Sequence, residues 1–435
     1  MKKIFWLLLF IFSNLLSQNL DLESYYLKNG MKVILSPNKE VPSICFRIFF
    51  KVGGKYESPG TTGISHLFEH MMFNGSAKYK PGMFDKLLEE NGGYSNGSTW
   101  NDFTNYWEEF NSNKLELILD MEADRMRSLK LDSENLEQER YIVMEERRLS
   151  VDNNPQNKME EELYATAFTS NLYRQPVIGW MNDLKKITLD DCKFFYKTFY
   201  SPNNSVLILT GDFDKSQAKK LISKYFEKLP KAKIPEHKKI IEPEQTAEKI
   251  VNLFQKVELP SLLIGYKSCS INDSDFYAMD LLANILSKGL SSRFNKILSE
   301  EKKLITEAFA IQDQMEEPGL FKIYAQARGE KEFDKLLEEI EKILDNIKNN
   351  GVSGNELEKA KNSKVLEYLD YFKTDQSLSF ALGYYEILTG DYNNLLKIID
   401  RYAKTTSLDI QRVAQKYFKK ESRTIVISKP ESDKQ

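Results

Sequence analysis

Apolar residues along this chain follow two periods, a short alternation typical of strands and a three-to-four spacing typical of helices, and the changes between them outline its elements. Residues 24–38, SYYLKNGMKVILSPN, place apolar runs on either side of Asn29-Gly30, which predicts a hairpin. Residues 43–52, SICFRIFFKV, predict a buried strand broken at Gly53-Gly54, from which the loop KYESPGTTG leads into a helix within residues 61–75. Thr61 or Thr62 is suited to cap that helix, and Asn74-Gly75 to end it in a left-handed turn. A second short helix is expected over residues 83–90. The glycine-rich, aromatic and polar stretch that follows reads as a strand pair, with Ser95 to Thr99 as its edge segment. Residues 113–149 carry two helical patterns, the second opened by Ser133. Helical segments at 155–170 and 188–200 then lead to a buried strand ending at Gly211 and an amphipathic helix over 214–228.

The stretch LPKAKIPEHKKIIEPEQTAEK has three prolines, many charges and few large apolar residues, and reads as a linker. Beyond it the plan repeats. Strand-like IVNLF and SLLIGYKS precede helical DFYAMDLLANILSKG and RFNKILSEEKK, then two long helical patterns, the second opened by a Ser353 capping box. A closing SRTIVISKP echoes NSVLILTGD. The economical organisation is an α+β chain of two tandem homologous domains, each a mostly antiparallel sheet packed with helices, at 19–229 and 248–430 around a linker at 230–247.

Composition narrows the function. The 61 basic and 64 acidic residues leave a net charge of −3, which offers no basic surface for nucleic acid or an anionic membrane. Residues 1–18 join a dibasic start to an apolar run in the form of a secretory signal peptide, so a periplasmic or cell-envelope location is expected, with an uncleaved inner-membrane anchor as the alternative. Cys45, Cys192 and Cys269 are too few and too scattered for a disulfide framework or a CxxC metal pair, and are expected to be buried packing residues. Any metal site must therefore rest on histidine and carboxylate.

Two of the three histidines fall within five residues. His66, Glu69 and His70 stand at i, i+3 and i+4, on one helical face. Imidazoles one turn apart can chelate zinc, and a carboxylate beside them can take a proton from water polarised by the metal; this is the HxxEH arrangement. A distant carboxylate normally completes such a set. Glu139 and Glu146, two helical turns apart on one face of a later helix, are placed to offer one. The competing reading is a histidine pair that holds no metal.

HLFEH at 66–70, followed by EQERYIVMEER, resembles the M16 metallopeptidases, and the likeness extends over the mature chain and its duplicated M16-like layout. The resemblance implies that His66, His70 and Glu146 bind Zn2+, that Glu69 is the general base, and that Glu139 is a second acidic residue supporting catalysis at the site. GGYSNGSTWNDFTNY resembles the family stretch that binds substrate backbone as an added strand, which implies that role for Asn96, Gly97 and Thr99. Gly97 stands where the family usually has alanine. In complete family sites the second domain sends an arginine and a tyrosine toward the substrate; here Ser299 and Thr306 occupy the matching positions. The resemblance therefore implies an endopeptidase paired with a metal-free homologue that supplies that pair. The alternative is a peptide-binding or assembly subunit with little turnover of its own.

Overall fold

The computed structural model describes residues 20–236 and 240–431, so the signal-peptide segment at 1–18 and His237 lie outside the described residues. In chain order the strands are β1 Glu23–Tyr26, β2 Lys32–Pro37, β3 Ser43–Phe50, β4 Tyr94–Thr99, β5 Thr104–Asn111, β6 Ser205–Gly211, β7 Lys249–Gln255, β8 Ser261–Lys267, β9 Ile305–Gln312, β10 Leu320–Ala327 and β11 Arg423–Pro430. The helices of the first half are α1 Ile64–Met71, α2 Met83–Glu90, α3 Leu115–Ser128, α4 Ser133–Arg147, α5 Pro155–Ala167, α6 Met181–Leu184, α7 Leu189–Phe199 and α8 Lys215–Phe226. Those of the second are α9 Phe276–Ser287, α10 Glu330–Asn350, α11 Gly354–Asp370, α12 Asp375–Thr389, α13 Ile398–Lys404 and α14 Ser407–Tyr417.

The two sheets share one plan. The first runs β1-β2-β6-β3-β5-β4 and the second β7-β11-β8-β10-β9. Each holds one parallel pair, β2 with β6 and β7 with β11, and is otherwise antiparallel. The mixed helix and sheet architecture and the repeated strand order match the α+β expectation. The repeat is visible because the apolar strands SVLILTG and RTIVISKP each pair in parallel with an early strand of their own half, β2 and β7 respectively.

Two compact units are present, and neither is a continuous half of the sequence. Among the described residues, one gathers 20–147, 175–236 and 369–397; the other gathers 148–174, 240–368 and 398–431. In the first, α12 covers β3 and β6, with Gly383 so close to Phe49 that a Cβ there would stand 2.0 Å from the ring. In the second, α5 covers β8 and β11, packing Met159 and Leu163 on Leu263 and Val426. Each sheet is thus roofed by a helix from the other half of the chain. Neither β9, β10, α12 nor α14 was marked by the hydrophobic pattern. All three cysteines are free and buried, as expected.

The core of the first unit lies between the sheet and α1, α3, α7 and α8. Phe46, Ile48 and Phe50 of β3 meet Leu67, Phe68 and Met71 of α1 there, all essentially without exposure. Phe68 packs on Phe195, Tyr196 and Tyr200 with ring centroids 5.7, 5.8 and 4.6 Å away. Burying these large rings, at roughly 1.5–3 kcal/mol each, fixes the rotation of α1 and so the direction of its opposite, polar face.

Candidate metal centre

α1 starts at Gly63, in the left-handed region at φ 87°, with no side-chain cap from Thr61 or Thr62. The Glu57 carboxylate caps it instead, accepting from the Gly63 and Ser65 amides at 2.7 and 2.8 Å. Burial pushes the Glu57 carboxyl up to about 8 against those hydrogen bonds. Thr62 has a different task, donating to Asp183 Oδ2 at 2.7 Å and accepting from the Trp180 amide at 3.0 Å. The helix ends at Met71, and Gly75 takes its left-handed turn four residues later, at φ 87°.

α4 supplies the carboxylates. Its first turn is capped by Asp132, whose Oδ1 accepts from the Asn135 amide at 2.9 Å, rather than by Ser133. Arg140 and Arg147, again two turns apart, tie the helix down by donating to the carbonyls of Leu184, Ile187 and Gly179. This holds the face bearing Glu139 and Glu146 against α1.

His66, His70 and Glu146 come together so that one donor atom of each lies within 4.8 Å of the others. Glu146 Oε1 is 3.7 Å from His66 Nε2, and its Oε2 is 3.4 Å from His70 Nε2. Tetrahedral zinc, with ligand bonds of about 2.0–2.2 Å, sets its ligand atoms roughly 3.3–3.5 Å apart. Two nitrogens and a carboxylate gathered this closely form a donor set of the kind that ion takes, within small side-chain adjustments of tetrahedral spacing. Burial holds the His66 imidazolium down to about 4, favouring the neutral form a metal needs. Its Nδ1 is buried without a partner. At His70 burial is outweighed by hydrogen bonds and charge from Glu139 and Glu146, which lift it to about 9.

Glu139 stands behind His70. Its Oε2 is 3.4 Å from His70 Nδ1, while Asn74 Nδ2 donates to its Oε1 at 2.8 Å. A carboxylate on the far nitrogen of a liganding histidine fixes the ring's tautomer and orientation. Burial opposes the Glu139 charge, but those two hydrogen bonds keep its carboxyl below the usual range. The Asn74 contribution was invisible in the sequence, because it depends on the chain turning back after α1.

Glu69 points to the sheet edge. Thr99 Oγ1 donates to its Oε2 at 2.5 Å, and burial raises its carboxyl above the usual value despite that bond. Gly97 lies alongside; a Cβ there would stand 3.1 Å from Glu69 Cγ and 3.2 Å from Tyr106 Cδ1. An alanine here would need Glu69 and Tyr106 to give by a few tenths of an ångström. Asn96 is exposed on the same strand, its Oδ1 accepting from the Gly97 amide at 2.8 Å. β4 is the outermost strand, as expected, and has no neighbour beyond it among the described residues.

Comparisons with known proteins give the family. The model of insulinase, peptidase family M16, matches residues 32–179, and that of the peptidase M16 inactive domain matches residues 186–364. The zinc protease PqqE of Helicobacter pylori is 30% identical over 414 residues, 94% of this chain and 93% of that protein. The crystal structure of a protease from Helicobacter pylori superposes with a TM-score of 0.89 at 30% identity, covering 94% of this chain and 100% of that one. The periplasmic protease PqqL from Escherichia coli shares the fold at a TM-score of 0.78 and 18% identity, with 95% of this chain matching 48% of it. With the HxxEH helix, the distant glutamate and matches to both domain models, the chain belongs to the M16 family of peptidases.

Proposed function

We propose that this chain is a zinc-dependent endopeptidase that hydrolyses unfolded peptides or small protein fragments. The observation that carries the reading is the convergence of His66, His70 and Glu146 beside a half-buried Glu69 at an open sheet edge. Zinc held by those three residues would supply a Lewis acid that polarises the scissile carbonyl and acidifies water. The rest is the work of the protein's own groups. Glu69, its basicity raised by burial, takes a proton from the attacking water and returns it to the leaving amine. Thr99 holds that carboxylate in place, and Glu139 orients His70. The outer edge of β4, with Asn96, Gly97 and Thr99, takes the substrate backbone as an added strand. Glu69→Gln should keep zinc and abolish cleavage of a quenched peptide; retained activity in a clean preparation would refute the role given to Glu69.

The chain is proposed to work with a homologue that lacks HxxEH and carries the arginine and tyrosine replaced here by Ser299 and Thr306. Losing one oxyanion donor costs about two to three orders of magnitude in rate. Thr306 is exposed on β9, with its hydroxyl on Gln326 Oε1 at 2.7 Å. That absence also favours a second reading, a peptide-binding or assembly subunit. Assaying the chain alone and mixed with such a homologue separates them, since only the peptidase reading expects cleavage by the mixture. The reading places the protein in the periplasm or cell envelope, on the signal-like residues 1–18; among the described residues no helix is long and apolar enough to cross a membrane.

A further inference from the structure

The first sheet has two faces, and the metal centre uses only one. Gly97, Thr99 and Tyr106 lie on the face met by α1 and Glu69. One step out of phase, Ser98, Asn105, Trp107 and Arg47 share the opposite face, the side covered by α12. A cavity of about 380 Å³ opens there against β4, walled by Arg47, Ser98 and Trp107 from the sheet and by Gln376, Ser377 and Phe380 from α12.

Arg47 is only 2% exposed and, among the described residues, forms no ion pair at contact distance, although the buried Glu108 acts on it from further away. Nε donates to Ser379 Oγ at 3.0 Å and Nη1 to Asn105 Oδ1, both neutral acceptors. The guanidinium lies 4.5 Å from the Trp107 ring and 5.4 Å from that of Phe380. Among the described residues no carboxylate stands within ion-pairing distance of it. Asp370 reaches the cavity wall but is paired with Lys373 at 2.5 Å. Trp107 Nε1, in the same wall, is buried with no acceptor. A buried cation and a buried N–H donor on two residues that line one cavity, neither in an ion pair, are the materials of a receptor for a carboxylate. Asn105 connects that receptor to the edge strand, its Nδ2 donating to Ser98 Oγ at 2.6 Å.

We propose that this cavity is a subsite for an acidic side chain, Asp or Glu, of a peptide laid along β4. The proposal rests on the reading of β4 as the substrate-binding edge. Side chains of an added strand alternate between faces, so residues that face Glu69 are flanked by residues that face Arg47 and Trp107. The enzyme therefore selects an acidic residue one step along the peptide from the positions that face the metal centre.

The test uses zinc-loaded Glu69→Gln protein, to prevent turnover, and fluorescent ten-residue peptides carrying Glu, Gln or Lys at each position in turn. Anisotropy should show the Glu peptide binding about tenfold more tightly than its Gln counterpart at positions of one parity, with Lys weakest. Adding Arg47→Met should erase the difference between Glu and Gln while leaving binding of the Gln peptide unchanged. Trp107→Phe, which keeps the ring and removes the N–H, should reduce the difference and guards against a misfolded Arg47 variant. Equal binding of Glu, Gln and Lys peptides at every position overturns the subsite alone. Failure of every peptide to bind overturns the edge-strand reading and the subsite with it.

Discussion

His70 faces two carboxylates, one on each ring nitrogen, and this asymmetry with His66 divides their tasks. In the proposed site Glu146 is a ligand, whereas Glu139 acts through the ring. Glu139→Gln should therefore lower zinc affinity about 10–100-fold without removing a ligand, measured by competition with a chromophoric chelator; unchanged affinity would make Glu139 a structural residue only. Gly97 gives a complementary prediction. A methyl group 3.1 Å from Glu69 Cγ asks that side chain to give by only a few tenths of an ångström, and the family usually carries alanine there. Gly97→Ala should therefore leave zinc content and kcat for peptide cleavage close to wild type; a large loss of kcat would show that Glu69 cannot shift. At this scale the sequence was most informative, because the i, i+3, i+4 spacing sets the directions of His66, Glu69 and His70 by helical geometry alone. Contacts that need the chain to return from elsewhere, such as Asn74 on Glu139 or Thr99 on Glu69, have no local signal; Thr99 was reached only through its resemblance to family members.

The helices show where local rules stop. Thr61 and Thr62 satisfy the compositional rule for an N-cap, yet the amides they were expected to bind are taken by Glu57, whose two oxygens serve Gly63 and Ser65 together. Glu57→Ala would leave two buried amides unsatisfied and cost about 1–3 kcal/mol, visible as a lower urea midpoint. The helix expected over 83–90 is found with those ends, whereas those expected over 61–75, 155–170, 188–200 and 214–228 end one or more residues short on at least one side. α12 was missed altogether. Residues 378–388 are almost wholly buried, so no polar stripe marks the 3.6-residue period there. Its close seat on β3 also has a testable consequence. A methyl group at Gly383 collides with Phe49, so Gly383→Ala should destabilise the protein by about 1–3 kcal/mol although alanine is the better helix former.

Across the molecule, the tandem repeat was legible because strand runs recur in the same order, but the exchange of α5 and α12 was not, since nothing in a hydrophobic pattern says which sheet a helix covers. The segment between the halves is also more engaged than its composition suggests. Glu242 accepts the amides of Thr169, Ser170 and Asn171 at 2.7, 2.9 and 2.8 Å and pairs with Lys267 at 3.0 Å. Burial opposes its charge, but those bonds win and hold its carboxyl down to about 2. Because the folded value lies below the unfolded one, the contribution is present above about pH 4.5 and is lost as pH falls toward 2. Discounted for solvent screening, it amounts to about 1–2 kcal/mol. Wild type should exceed Glu242→Gln in urea midpoint at pH 7, and the gap should close near pH 2. The proposed function, in turn, depends on α1 and α4 meeting at one ion. Titrating zinc into the metal-free chain against a chelator should give one tight site per chain that Glu146→Gln weakens by at least a hundredfold. A chain that takes up no zinc, or binds it equally well without Glu146, would contradict the metal centre and the chemistry built on it.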